Sequence, residues 1–324
     1  MAQPIAISDY IVATGKTTET DLAMTLAINE IPAKELQWLN YSVPTNFIDD
    51  AQPVSQLATR IVVLLNTIWP SIEHNIADNE VYLLLPEFSG VDNPELQQLL
   101  QAIMRQFPAL LRNQHCKVFP FGRASALMAF AAARARLTSQ NSSKVWLVAA
   151  DSLAVTSRLQ AWLAKQYFQP EAVASEAAIA LCLTAAKTGL INSLHAADAS
   201  VAVVAANANS AQQDTALAHL FLHVAKSLKQ QLAYIMLPDT GEPQLTSYWS
   251  EQYQQLHGVI NKQTQFEFPG YFTGELGAAG GLYRLLHMYL GFEQQRLTAP
   301  LLHCEIAERS YRAVSVFNYQ SVVQ

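Results

Sequence analysis

Several residue groups in this chain have the types and spacing of reactive chemistry. Gly15-Lys16-Thr17 has the ending of a phosphate-cradling loop, but that loop needs a further glycine five residues earlier, where Tyr10 stands. The tripeptide reads as a turn after a first strand. His219 and His223 are spaced i, i+4, as a metal-binding pair on one helix face would be, yet Leu220 replaces the glutamate of a zinc protease and no metal is expected. His115-Cys116 and His303-Cys304 put an imidazole beside a thiol. Neighbours on a strand point to opposite faces, so neither pair is expected to work as nucleophile and base. Cys116, Cys182 and Cys304 are far apart among apolar residues, which suits reduced core thiols rather than a disulfide framework. Asp49-Asp50, and Asp239 with Glu242, lie in loop-like sequence with no histidine or second carboxylate at helical spacing, and read as turn residues.

Positioning any such group requires a scaffold, and the chain has the means to build one. Its 324 residues are 51% hydrophobic and carry a formal charge of −6, ample for a full core. Only 14% are charged, against roughly 25% in an average domain, and the 12 glycines are about half the usual share, with five of them between Gly270 and Gly281. The 20 Lys and Arg are scattered, so no nucleic-acid or anionic-membrane footprint is expected. No apolar run approaches the roughly 18 residues of a membrane span, and the N-terminal residues lack the pattern of a signal peptide, which makes the cytoplasm the expected location.

Buried strands are expected at Ile5 to Ala13, Val81 to Pro86, Lys144 to Ala150, Ala178 to Leu183, Val201 to Ala206, Ala233 to Leu237, Leu301 to Ile306 and Arg312 to Phe317. Helical period marks Ser55 to Ile72, Pro94 to Phe107, Arg123 to Thr138, Thr156 to Tyr167, Asp214 to Gln230 and Leu276 to Leu290. The alternation predicts an α/β protein with mostly parallel sheets covered on both faces. The polar stretch from Ala185 to Ser200 is the expected internal boundary, dividing the chain into residues 1–190 and 191–324 without a flexible linker.

Three stretches gain meaning together: FPFGRASALMAFAAARARL followed by KVWLVAADSL, then YIMLPDTGEP, then FTGELGAAGGLYRLL. Their order and spacing resemble the β-ketoacyl synthases of the thiolase superfamily. There a nucleophilic cysteine opens a small-residue helix, an HGT.TP loop supplies one histidine and a GH..GAAG loop the other. SEAAIALCL, from Ser175 to Leu183, is similar to that family's GEGAAALVL strand. The resemblance covers most of the chain and implies two similar βαβαβαββ halves in a five-layer α-β-α-β-α arrangement.

It also implies which positions matter. A helix N-terminus stabilises a thiolate, and two imidazole donors stabilise the charge that develops as a malonyl thioester loses carbon dioxide. Here the nucleophile position falls on Arg123, the first histidine on Pro238, and the second on Glu275 or Gly274, while the expected C-terminal glycine-rich loop falls on Phe317 to Ser321. A guanidinium cannot attack a thioester, and a proline ring has no donor. The resemblance therefore implies a catalytically degenerate member with no cofactor. Arg123 is expected to plug the former pocket by pairing with Asp239, Glu242 or Glu275. Ser125, two residues into the helix, is the candidate for a relocated nucleophile, though neither it nor Cys116 has a base at the family's positions. Only about two dozen residues separate Asp151 from Ser175, which implies a shortened lid over any acyl channel.

In this family the strand before the nucleophile pairs across a two-fold axis, so Cys116, Val118, Phe119 and Phe121 are the expected dimer edge. The leading expectation is a non-catalytic subunit similar to a chain-length factor, paired with an active ketosynthase and acyl carrier protein in fatty-acid, polyketide or aryl-polyene synthesis. The alternative is a thiolase-fold adaptor that binds proteins alone, as with type VI secretion effectors. An active acyltransferase is third.

Overall fold

A computed structural model describes residues 3–88, 93–167, 171–199 and 215–321. The strands of its first half are β1 (Ile5–Thr14), β2 (Lys34–Trp38), β3 (Tyr41–Asn46), β4 (Glu80–Leu84), β5 (Lys117–Phe119), β6 (Val145–Ser152) and β7 (Ala174–Ala185). The second half contributes β8 (Gly189–Ala199), β9 (Tyr234–Met236), β10 (Gln265–Glu267), β11 (Leu301–Ile306) and β12 (Tyr311–Gln320). Helices α1 (Thr20–Ala23), α2 (Leu57–Ile76), α3 (Pro94–Gln106), α4 (Ser125–Thr138) and α5 (Thr156–Lys165) belong to the first half. Helices α6 (Ala216–Ser227), α7 (Pro243–Gln252), α8 (Gly270–Thr273) and α9 (Ala278–Glu293) belong to the second.

Each half builds the same sheet. The orders are β5-β4-β6-β7-β1 and β10-β9-β11-β12-β8, and β2 and β3 form a separate hairpin that meets β7. In both sheets the last strand lies antiparallel between its two neighbours. The remaining pairings, of β4 with β5 and β6 and of β9 with β10 and β11, are parallel. The sheets meet at one pair, Ile5 with Leu190.

Sequence pattern explains the layers. All eight residues of β6 are buried, as a near-continuous apolar run between two covered faces requires. Helix α9 is buried from Ala278 to Phe292, and a helix apolar all round belongs in an interior. It lies beside α4 in a central layer whose core joins Leu147, Ile179 and Leu181 of one sheet to Leu301, Ala313 and Phe317 of the other. Helices α2 and α3 cover the outer face of the first sheet, and α6 with α7 the outer face of the second. The expected α-β-α-β-α arrangement of two similar halves is what forms.

Some expectations need correction. The boundary stretch Ala185 to Ser200 is mostly strand: β8 pairs with β12 from Gly189–Gln320 to Ala199–Tyr311, and the 190/191 division falls inside it. Its polar residues sit on a strand whose far end is exposed, which gave it the composition of a linker. The strand expected at Val201 to Ala206 lies outside the described residues, as does Asp214. Phe317 to Gln320 is not a loop, because β12 continues through it against β8. His115-Cys116 lies in the turn before β5 rather than on a strand, whereas His303 and Cys304 do face opposite layers of the core. His219 and His223 are exposed on α6, and among the described residues no cluster of three or more His, Cys, Asp or Glu could hold a metal. No helix among them is long and apolar enough to cross a membrane.

One buried histidine links the core to pH. His287 on α9 stacks at 6.4 Å on Tyr283, and burial, assisted by the positive charge of Arg296, lowers its pKa to about 4. An unfolded imidazole titrates near 6.5, so the unfolded chain takes up this proton first and stability is lost as pH falls from 6.5 towards 4. Of the loss in unfolding free energy between pH 7 and about 4.5, roughly 2–3 kcal/mol is expected to disappear in His287→Gln, measured by urea unfolding of both proteins at the two pH values.

Candidate functional site

Where the halves meet, the ends of β6 and β11, the turn before α4 and the loops before α7 and α9 converge on a cavity of about 190 Å³. Its walls include Arg123, Asp151, Glu242, Glu275 and Glu308, with Leu153, Arg158, Ala161, Trp162 and Lys165 adding the side of β6 and α5.

Arg123 lines the cavity beside Glu242 and Glu275. It sits in a short 3-10 turn, Gly122–Ala124, that leads into α4, and Gly122 makes that turn possible with φ +57°. Its Nε donates to Glu275 Oε1 at 3.1 Å, its Nη2 to Glu275 Oε2, and its Nη1 to the carbonyl of Ile306 at 3.1 Å. Both partners are 4% exposed. Burial opposes the charge on Arg123, but Glu275 above all, with help from Glu308 and Glu242, outweighs it and raises the guanidinium pKa. Burial likewise opposes charge on Glu275, and Arg123 overcomes it, holding this carboxyl below its ordinary range. Glu275 Oε1 also accepts the Gly277 N–H at 2.7 Å.

The turn preceding α9 is tied to the first half. Gly277, at φ +55°, packs against the Asp151 carboxylate so closely that any Cβ there would overlap it. Asp151 Oδ2 accepts the N–H of Ala278, the first residue of α9, at 2.7 Å and so caps a helix from a different half of the chain. Its other oxygen accepts from Ser152 N at 2.7 Å and from Arg158.

Of the three expected partners of Arg123, Glu275 is the one it hydrogen-bonds. Glu242, just before α7, lies 4.0 Å from Nη2. Asp239 is committed elsewhere, accepting from Gly241 N at 2.8 Å, Thr246 Oγ1 at 2.9 Å and Trp249 Nε1 at 2.6 Å. Pro238 is buried in the loop after β9 and does not line the cavity. Ser125 is fully buried, its hydroxyl donating to the Phe119 carbonyl at 2.8 Å and accepting from Phe121 N at 3.0 Å. Cys116 is half-buried and its sulfur accepts from Val81 N at 3.3 Å; burial raises its pKa. Among the described residues no base is hydrogen-bonded to either group.

Sequence reasoning missed the turn between the last two strands. Ala307 to Ser310, not Phe317 to Ser321, reaches the site, bringing Glu308 and Arg309 to the cavity while Glu87 accepts the backbone N–H groups of Arg309 and Ser310 at 2.8 Å each. The signal was the short charged run Glu308-Arg309 between two apolar strands. Arg158 and Lys165 were also missed; one helical turn pattern places them, with Ala161 and Trp162, on one side of α5.

The expected edge residues surround β5, the outermost strand of its sheet, whose one strand partner among the described residues is β4. Phe119 turns inward against Tyr82 at 5.5 Å, and Phe121 packs on Tyr311 at 4.6 Å. Val118 and Cys116 are half-buried.

No protein-family model matches the chain, and no curated protein matches it. Solved structures do match across nearly its whole length. The oxazolomycin ketosynthase domain OzmH KS7 of Streptomyces albus JA3453 superposes with a TM-score of 0.66 at 11% identity, over 99% of this chain and 76% of that one. A chain of the ketosynthase ApeO in complex with its chain-length factor ApeC, from Xenorhabdus doucetiae, matches at 12% identity and TM-score 0.59, over 98% of each chain. A third match is to a complex, AntDE:AntF, of a type II polyketide synthase acyl-carrier protein with its ketosynthase bound to the hexaketide. It covers 98% of this chain and 99% of that one, with 10% identity and TM-score 0.59. The chain therefore has the thiolase-type fold of the ketosynthases.

Proposed function

We propose that this thiolase-fold chain is a non-catalytic ketosynthase-like subunit, similar to a chain-length factor, that pairs with an active ketosynthase acting on carrier-protein substrates. The observation that carries the reading is the buried Arg123–Glu275 pair, standing where the resemblance puts a nucleophile and an imidazole. Decarboxylative condensation needs a thiolate and donors aimed at the developing oxyanion, and a guanidinium locked to a carboxylate supplies neither. Ser125 offers no replacement, since both hydrogen bonds of its hydroxyl go to backbone groups. Among the described residues β5 has a strand partner on one side alone, and such a strand edge can be extended by another chain.

Affinity purification from the native host followed by mass spectrometry is expected to recover a 1:1 complex with a larger, cysteine-containing ketosynthase. Lys117→Glu, which reverses the charge of the exposed residue of β5, is expected to reduce its recovery with the far-UV circular dichroism unchanged. Recovery of a secretion effector instead would favour the adaptor reading. Acylation of the purified chain by malonyl or acetyl carrier protein, lost in Ser125→Ala, would overturn the non-catalytic reading.

A further inference from the structure

The cavity beside Arg123 contains a buried carboxylate whose ion-pair contact with that guanidinium is long, at 4.0 Å. Glu242 is 5% exposed, lines the cavity, and accepts no hydrogen bond among the described residues; the guanidinium 4.0 Å away is already engaged by Glu275. The other carboxylates are supplied: Glu275 by Arg123, Asp151 by Arg158 and Ala278 N, and Glu87 by two backbone N–H groups. Glu308 is the exception, with Oε2 buried and without a partner. A buried acceptor left without a donor, as Glu308 Oε2 is, is costly, and the Glu242 and Glu308 carboxylates repel each other, so a positive charge that brings hydrogens with it is favoured beside them.

Size and walls narrow the ligand. The cavity of about 190 Å³ exceeds the roughly 150 Å³ that accommodates benzene in an engineered protein, so it holds a molecule of several non-hydrogen atoms. Leu153, Ala161 and Trp162 give it an apolar side suited to a short alkyl body. Lys165 and Arg309, which also line it, offset part of the negative charge, which leaves the site suited to one positive charge and not to two. From this we infer that the cavity is a binding site for a compact primary monoamine, its ammonium group donating to Glu242 in the field of Glu308 and its alkyl chain lying against Leu153, Ala161 and Trp162. The residues named all belong to one chain.

Calorimetric titration of the full chain with butylamine, butan-1-ol and butyrate at neutral pH tests it. Butylamine is expected to bind with a Kd on the order of 0.1–1 mM, as its five non-hydrogen atoms allow, and the other two at least tenfold more weakly. Glu242→Gln is expected to weaken the amine at least tenfold, whereas Glu171→Gln, an exposed residue that does not line this cavity, leaves it unchanged. Ala161→Phe, an exposed helix position at the cavity wall, is expected to abolish binding by filling the space, and serves equally if Glu242→Gln fails to fold. Equal affinity for butyrate or butanol, undiminished amine binding in either cavity variant, or no heat from butylamine at about 10 mM would each overturn the assignment.

Discussion

Arg123→Ala is expected to lower the unfolding free energy at pH 7 by about 3–5 kcal/mol, because it strands the buried Glu275 carboxylate and removes the guanidinium that lies 4.0 Å from Glu242. The value comes from the charge left behind rather than from the worth of the pair. Removing both charges, in Arg123→Met with Glu275→Gln, is accordingly expected to cost far less than the single change. The pH dependence has a definite sign. Arg123 holds the folded-state pKa of Glu275 below the unfolded value near 4.5, so this contribution is present above that value and is lost as pH falls through the depressed one. The gap between native and Arg123→Ala proteins should therefore narrow in acid. Chemical denaturation of the three proteins from pH 7 to about pH 3 measures both effects; a single variant no less stable than the double would remove the basis for treating Arg123 as a plug.

The second large effect is steric. Gly281 lies in the first turns of α9, where a Cβ would come within 2.6 Å of Ala126 Cβ and 2.7 Å of the Arg123 carbonyl oxygen. Ordinary propensity favours alanine over glycine in a helix interior by about 1 kcal/mol. Here contact with backbone that cannot step aside reverses the sign, and even Gly281→Ala is expected to destabilise. Gly281→Val should cost about 3 kcal/mol or more, by pushing apart the two central helices and with them the turn that carries Arg123. Ala126→Gly removes one of the two obstacles and is expected to restore part of the loss, read as the midpoint of thermal or urea unfolding.

The fold was legible because its strands and helices differ in length and pattern. The apolar runs at β1, β4, β6, β7, β11 and β12 and the helical stretches at α2 to α6 and α9 lie where periodicity puts them, give or take a few residues. The elements that escaped carry weak local signals. Strand β10 has three residues, β8 is polar along one side, and the β2–β3 hairpin is a surface ribbon with alternating exposed residues. Site residues were legible where a type was anomalous, as with Arg123 at a position calling for a nucleophile. Glu275 could be named only by counting along a loop, with Gly274 as the other candidate. Glu308, Arg158 and Lys165 could not be found that way, because their meeting depends on a turn and a helix that converge from separate parts of the chain.

The interior position of α9 also sets the order in which the chain can become whole. This helix, completed only at residue 293, packs on β6 and β7, strands finished more than a hundred residues earlier. During synthesis the first sheet can pair its strands, since β1 and β7 are both available by residue 185, but the face bearing Leu147, Ile179 and Leu181 has only α4 against it until α9 completes its cover. A nascent chain halted between the halves thus displays an oily sheet surface to the cell, the condition under which chaperones engage and misassembly begins.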